Sequence, residues 1–161
     1  MDLESTLRYL REKGEGAHMP HVYYGDPHEE FSLQLIRTLS KEADLLEFGI
    51  PFSDPTADGP TFQLACERAL RAGMTPLKCM QGIRKLRKEG ITIPIIVTTY
   101  YNIPYVHGIT SFVKAIQTAG AQAILVPNLP IEEAQPLFAA SEKYDIKVIL
   151  QISPATSQSR I

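Results

Sequence analysis

The 161 residues suffice for one domain with a real core, and 44% hydrophobic against 21% charged residues is the balance of an ordinary globular protein. A net charge of −2, with Lys and Arg scattered among Asp and Glu, leaves no basic stripe for nucleic acid. No apolar run approaches the ~20 residues a membrane helix needs. The charged, amphipathic start MDLESTLRYLREKG reads as neither signal peptide nor anchor, so a cytoplasmic protein is expected.

Leu3, Leu7 and Leu10 recur at helical spacing and predict a short leading helix. His18 to Tyr24 is the first strand candidate. Gly25-Asp26-Pro27 follows with Glu29 close behind, so Asp26 is expected to cap a helix with an apolar stripe of Phe31, Leu35 and Leu39. Asp44 to Ile50 (DLLEFGI) reads as a second strand, apolar on both faces apart from one carboxylate. A loop rich in Pro, Asp and Gly leads to helices over 61–72 and 76–89, closed by Gly73 and Gly90. Ile93 to Thr99 is the third strand and Ser111 to Ala119 a helix ended by Gly120. Gln122 to Val126 is the fourth strand, Pro130 to Tyr144 a helix, and Ile146 to Ile152 (IKVILQI) the fifth strand.

Strands without polar alternation, each joined to the next by a helix, imply a parallel sheet covered by helices. No Gly-x-Gly-x-x-Gly follows the first strand and no P-loop lysine motif occurs. The chemically unusual residues gather at the C-terminal ends of several strands, which is the habit of the (β/α)8 TIM barrel. The expected fold is therefore α/β, a single domain over 1–161 holding about five βα units of such a barrel.

Glu47 is a carboxylate in an otherwise apolar strand. Burial costs several kcal/mol unless such a group is paired or protonated, on the order of known buried-charge penalties. Apolar walls should raise its pKa, as general acid–base work near neutral pH requires. Pairing with a lysine from a neighbouring helix is an equal alternative. Asp58 lies in the loop after the same strand, where capping of the helix that follows Pro60 is the leading reading, as it is for Asp54 and Asp26. Tyr100, Tyr101 and Asn102 end the third strand and could line a pocket for an aromatic ligand or simply close the barrel mouth. The four histidines lack ligand spacing and no metal is expected. Cys66 and Cys79 fall in helical patterns as buried free thiols, and no serine has a companion base.

The run EFGIPFSDPTADGP, Glu47 to Pro60, resembles the signature of tryptophan synthase alpha chains, with fourteen residues matched in order. Gly25-Asp26-Pro27, the Tyr100 and Asn102 pair, ILVPNLP (124–130) and SPATSQSRI (153–161) resemble further segments of that family. The resemblance implies a carbon–carbon lyase that splits indole-3-glycerol phosphate into indole and glyceraldehyde 3-phosphate in tryptophan biosynthesis. It implies Glu47 as the acid–base group and Asp58 as the acceptor of the indole N–H. His21, Phe48, Tyr100 and Asn128 would line the substrate, and Glu47 and Asp58 would face one cavity. No cofactor is implied. The implied partner is a pyridoxal-phosphate-dependent beta chain, met by the loops 51–60 and 102–108.

The sequence departs from the family pattern at several places. Tyr23 and Tyr24 stand where Thr and a small residue are usual, predicting a crowded mouth of strand one. His21 stands where Phe is common, and Ile103-Pro104 inverts the usual order. Asn128 stands where Asp is usual, and should cap the helix beginning near Pro130. Five strands against the eight of a barrel of ~250 residues also predict that the usual phosphate site, after strands seven and eight, is not within these residues. Two other readings stay open: a catalytically silent alpha-like chain that only binds a beta chain or itself, and another phosphate-binding barrel isomerase or aldolase.

Overall fold

A computed structural model, describing residues 2–161, begins with helix α1 (Leu3–Lys13). Asp2 accepts the Ser5 N–H at 2.7 Å to start it, and Gly14 closes it at φ 70°. Its buried face is Leu3, Thr6 and Leu10, with Leu7 turned to solvent. Strand β1 (His21–Tyr23) follows, then α2 (Glu29–Leu39), β2 (Leu46–Gly49), α3 (Pro60–Arg71) and α4 (Pro76–Lys88). The remaining elements are β3 (Ile95–Thr98), α5 (Asn102–His107), α6 (Ile109–Ala119), β4 (Ala123–Leu125), α7 (Gln135–Lys143) and β5 (Lys147–Ile149).

The five strands are parallel and lie in chain order, β1 to β5, as consecutive right-handed βα units would place them. The side-chain period of two then sorts residues onto two faces. Val22, Phe48, Val97 and Ile124 pack into the main core with Leu33, Ile36, Ile83, Leu86 and Ile116 of the helices. The other face carries a smaller cluster of Leu3, Leu45, Ile96, Ala123 and Leu125, so α1 closes the N-terminal end of the inner face. This is a partial TIM barrel of five parallel strands, the first four each followed by a helix.

Several local expectations are corrected. Asp26 does not cap α2: its carboxylate takes a bidentate grip from Arg68 at 2.6 and 2.8 Å, and His28 Nδ1 accepts the Phe31 N–H at 3.2 Å instead. The buried face of α2 is Ser32, Leu33 and Ile36, leaving Phe31 exposed. Tyr24 does not crowd the strand mouth. Its ring turns to the helix layer, stacks on Phe48 at 4.9 Å and rests on Gly82, where a Cβ would come within 2.3 Å of it.

The segment after β3, read as loop, forms α5, because Pro104 falls in a first turn where its missing N–H is not needed. Conversely, the helix expected from Pro130 is a short 3-10 turn, Ile131–Glu133, and α7 starts only at Gln135. Pro136 fits a first turn but would break a continuous helix from 130. The ladder of β5 ends at Ile149, leaving Leu150 and Ile152 exposed.

Candidate functional site

Glu47 is the register partner of His21 on β1 and Ile96 on β3, and its side chain lies on the face turned away from the α2, α4 and α6 layer. Oε1 accepts the Thr98 hydroxyl at 2.6 Å and lies 3.0 Å from His21 Nδ1. Among the described residues no lysine pairs with it, which removes the structural ion pair weighed for this position. Burial is the strongest single influence on the carboxyl and pushes its pKa up. The hydrogen bond and charge of His21, joined by the Thr98 hydroxyl, outweigh it and hold Glu47 below the usual carboxylate range. The expected upward shift is thus reversed, because the wall beside Glu47 is polar on two sides.

Asp58 is not a helix cap. Gly59 occupies that position without a side-chain bond, and Asp58 Oδ2 accepts two phenols instead, Tyr23 at 2.6 Å and Tyr100 at 2.8 Å. The Tyr100 oxygen in turn accepts the Ala57 N–H at 2.9 Å, so the loop is pinned at consecutive residues. Burial first, and Asp58 second, push both phenols well above the ordinary tyrosine range, so they remain donors. Tyr100 is buried and stacks on Phe52 at 5.3 Å.

Aromatic rings fill the space between the two carboxylates. His21 and Tyr23 pack at 4.7 Å, and Phe62 of α3 covers both at 4.6 and 5.5 Å. Neither the cavity of about 850 Å³ between 53–56 and α3 nor that of about 450 Å³ beyond β4 and β5 is lined by Glu47 or Asp58. The bidentate Arg68–Asp26 pair holds α3, and hence Phe62, against the end of β1.

Gly49 lies under this cluster: a Cβ there would meet Tyr23 Cδ1 at 2.6 Å and His21 Nε2 at 2.7 Å. Gly49→Ala is therefore expected to destabilise the protein by about 1–3 kcal/mol through overpacking. A fall in Tm of several degrees checks this. An unchanged Tm would mean that the rings move aside at no cost.

Phe48 does not reach the site: it is fully buried on the helix side of the sheet against Tyr24. Asn128 caps nothing. Its Oδ1 accepts the Tyr101 N–H at 2.8 Å, tying the end of β4 to the start of α5, while Nδ2 lies 3.4 Å from Asn102 Oδ1. Asn128→Asp keeps the first bond, so stability should change by less than about 0.5 kcal/mol, as for most exposed substitutions. A larger shift of Tm would show that the contact to Asn102 matters more than its length suggests. Among the described residues no group of three or more His, Cys, Asp or Glu is placed to hold a metal. Cys66 and Cys79 are buried free thiols, and no described helix is long and apolar enough to cross a membrane.

Residues 7–161 match the family profile described as tryptophan synthase alpha chain. The chain belongs to that family. It is 42% identical to the tryptophan synthase alpha chain of Methanocaldococcus jannaschii over 161 residues, covering all of this chain and 57% of that protein. It superposes on the tryptophan synthase alpha subunit of Legionella pneumophila with a TM-score of 0.95 at 34% identity, over 99% of this chain and 62% of that one. A tryptophan synthase complex from Pyrococcus furiosus contains a chain matched at a TM-score of 0.87 and 32% identity, over 90% of this chain and 60% of that one. The chain thus spans little more than half the length of the alpha-chain relatives it matches. Both carboxylates lie inside the span shared with the family, on a partial barrel of the same architecture.

Several partners of the site were hidden in the sequence. The His21–Glu47 pair follows from strand register, which composition does not show. The Tyr23–Asp58 bond joins residues that were read separately as a crowding substitution and a cap. Phe62 gave no signal beyond one apolar residue near a helix start.

Proposed function

We propose that this alpha-chain family member is a carbon–carbon lyase that cleaves indole-3-glycerol phosphate into indole and glyceraldehyde 3-phosphate. The observation that carries this reading is a pair of carboxylates at the same end of the strands, each held on one oxygen by donors of a different kind. Glu47 is held by two donors on one oxygen, and Asp58 by two phenols on one oxygen. Each carboxylate keeps a second oxygen for a ligand.

Glu47 is favoured as the ionised group and accepts the proton of the glycerol hydroxyl next to the indole ring. The same proton is delivered to indole C3, placing positive charge on the ring nitrogen. Asp58 accepts the hydrogen bond of that N–H and stabilises the charge. The alkoxide then collapses to the aldehyde as the carbon–carbon bond breaks, and the bond pair returns to the ring. The hydroxyl proton has moved to C3 and no cofactor takes part. Pairs of carboxylates in different surroundings divide labour in this way in other enzymes.

Tyr100 serves by fixing Asp58, and Asn128 by fixing the segment that follows β3. The loops 51–60 and 102–108 are the proposed face for a beta chain. Exposed Tyr105 and Val106 on α5, in the second segment, support that placement, as does the presence of the Pyrococcus furiosus relative in a tryptophan synthase complex. The test is indole release from indole-3-glycerol phosphate by the complete protein, with the decisive substitution at Glu47.

A further inference from the structure

His21 has two ring nitrogens in different circumstances. Nδ1 lies 3.0 Å from Glu47 Oε1, while Nε2 is buried and has no hydrogen-bond partner among the described residues. A lone pair left unmatched is less costly than an unmatched N–H, so the ring proton belongs on Nδ1, facing Glu47. The ring is held there on three sides, by Tyr23 at 4.7 Å, by Phe62 at 4.6 Å and by the bare Cα of Gly49. Strand register fixes the pair further, since His21 and Glu47 are directly opposed on β1 and β2.

We propose that His21 is a positioning residue for Glu47, fixing both the orientation and the protonation state of the carboxylate through the Nδ1–H to Oε1 contact. This rests on the reading of Glu47 as the acid–base group. Two donors on Oε1 leave Oε2 as the oxygen free to exchange a proton with a ligand. The surroundings contain few other charges that could do the same. Tyr23 lies on the same strand and Asp58 is reached through it, Cys66 on α3 lies beneath Tyr23, and β3 supplies Thr98 and Tyr100. Lys147 on β5 is turned to Glu4 and Asp145 at the opposite end of the strands.

The sign of the effect follows from the competition at Glu47. With His21 in place the carboxyl sits below its usual range, and without it burial is left opposed only by Thr98. His21→Phe keeps a ring of similar shape between Tyr23 and Phe62 but removes the donor. In the complete protein, carboxyl-labelled glutamate followed by NMR should show Glu47 titrating higher by about one pH unit or more in this variant, the scale of one hydrogen bond to a charged group. The carboxylate limb of the kcat/KM profile for indole-3-glycerol phosphate should move the same way. His21→Gln, which keeps an N–H donor but not the ring that Tyr23 and Phe62 hold in place, should fall between the two.

An unchanged Glu47 titration in His21→Phe would reduce His21 to packing and overturn the proposal. Should that variant not fold, the native protein supplies the test: the His21 ring and Glu47 carboxyl must each respond to the other's protonation, and independent titrations overturn it. Glu47→Gln separates the two layers. Retained indole release there would sink the lyase role of Glu47, whereas a normal loss with an unshifted His21→Phe profile would sink only the role of His21.

Discussion

Glu47→Gln in the complete protein is expected to abolish indole release while leaving substrate binding and the fold in place. Gln keeps an oxygen that can accept from Thr98 and His21, so the contacts at 2.6 and 3.0 Å survive in kind. What is lost is the capacity to take up and give back a proton. General acid–base groups contribute about 10²–10⁴-fold, so a fall of at least a hundredfold in kcat is expected. Steady-state indole release, with calorimetric binding of the substrate and a melting curve, separates the contributions. A variant retaining more than about a tenth of kcat has lost under ~1.4 kcal/mol, and the acid–base assignment would then be wrong. A variant that no longer binds or no longer melts cooperatively would place Glu47 among the structural groups, as an interior carboxylate whose partners need its charge.

The order of strands and helices was legible because parallel strands covered on both faces lose polar alternation, as in DLLEFGI and IIVT, and because Gly73, Gly90 and Gly120 sit at helix ends with positive φ. Boundaries were less legible where a proline had two possible meanings. Pro104 and Pro136 both fall inside first turns, yet one was read as loop and the other as mid-helix.

The site divided along similar lines. Glu47 stood out because an ionisable residue in an apolar strand demands an explanation. Asp58 did not, since an Asp before a Gly-Pro helix start has a sufficient local explanation. Only the fold brings Tyr23 and Tyr100, 35 and 42 residues away in sequence, to its oxygen. Phe48 shows the cost of ignoring the pleat: one residue from Glu47 along a strand is the opposite face, and it packs against helices. The depressed pKa of Glu47 was equally out of reach, because it depends on two donors contributed by two neighbouring strands.

A polypeptide limited to these 161 residues is expected not to persist as an active monomer. The sheet runs from β1 to β5 with one ladder on each terminal strand, so β1 and β5 each present an outer edge of unpaired backbone groups. Closure is what removes such edges in a barrel. Beside the β5 edge, Leu150, Ile152 and Ile161 are 52%, 62% and 73% exposed, and with Val126 and Ile131 they border an open recess. Exposed strand edges next to apolar surface are templates for association. Size-exclusion chromatography with light scattering should show dimers or larger species, and glycerol phosphate should bind poorly, because the usual cradle for a barrel phosphate follows strands seven and eight. A charged substitution such as Ile152→Lys should shift the distribution toward monomer without restoring indole release, because it blocks association but supplies neither a closing strand nor a phosphate site. A clean monomer releasing indole at the rate of the complete protein would show that five strands are enough, and the account of the edges would fall.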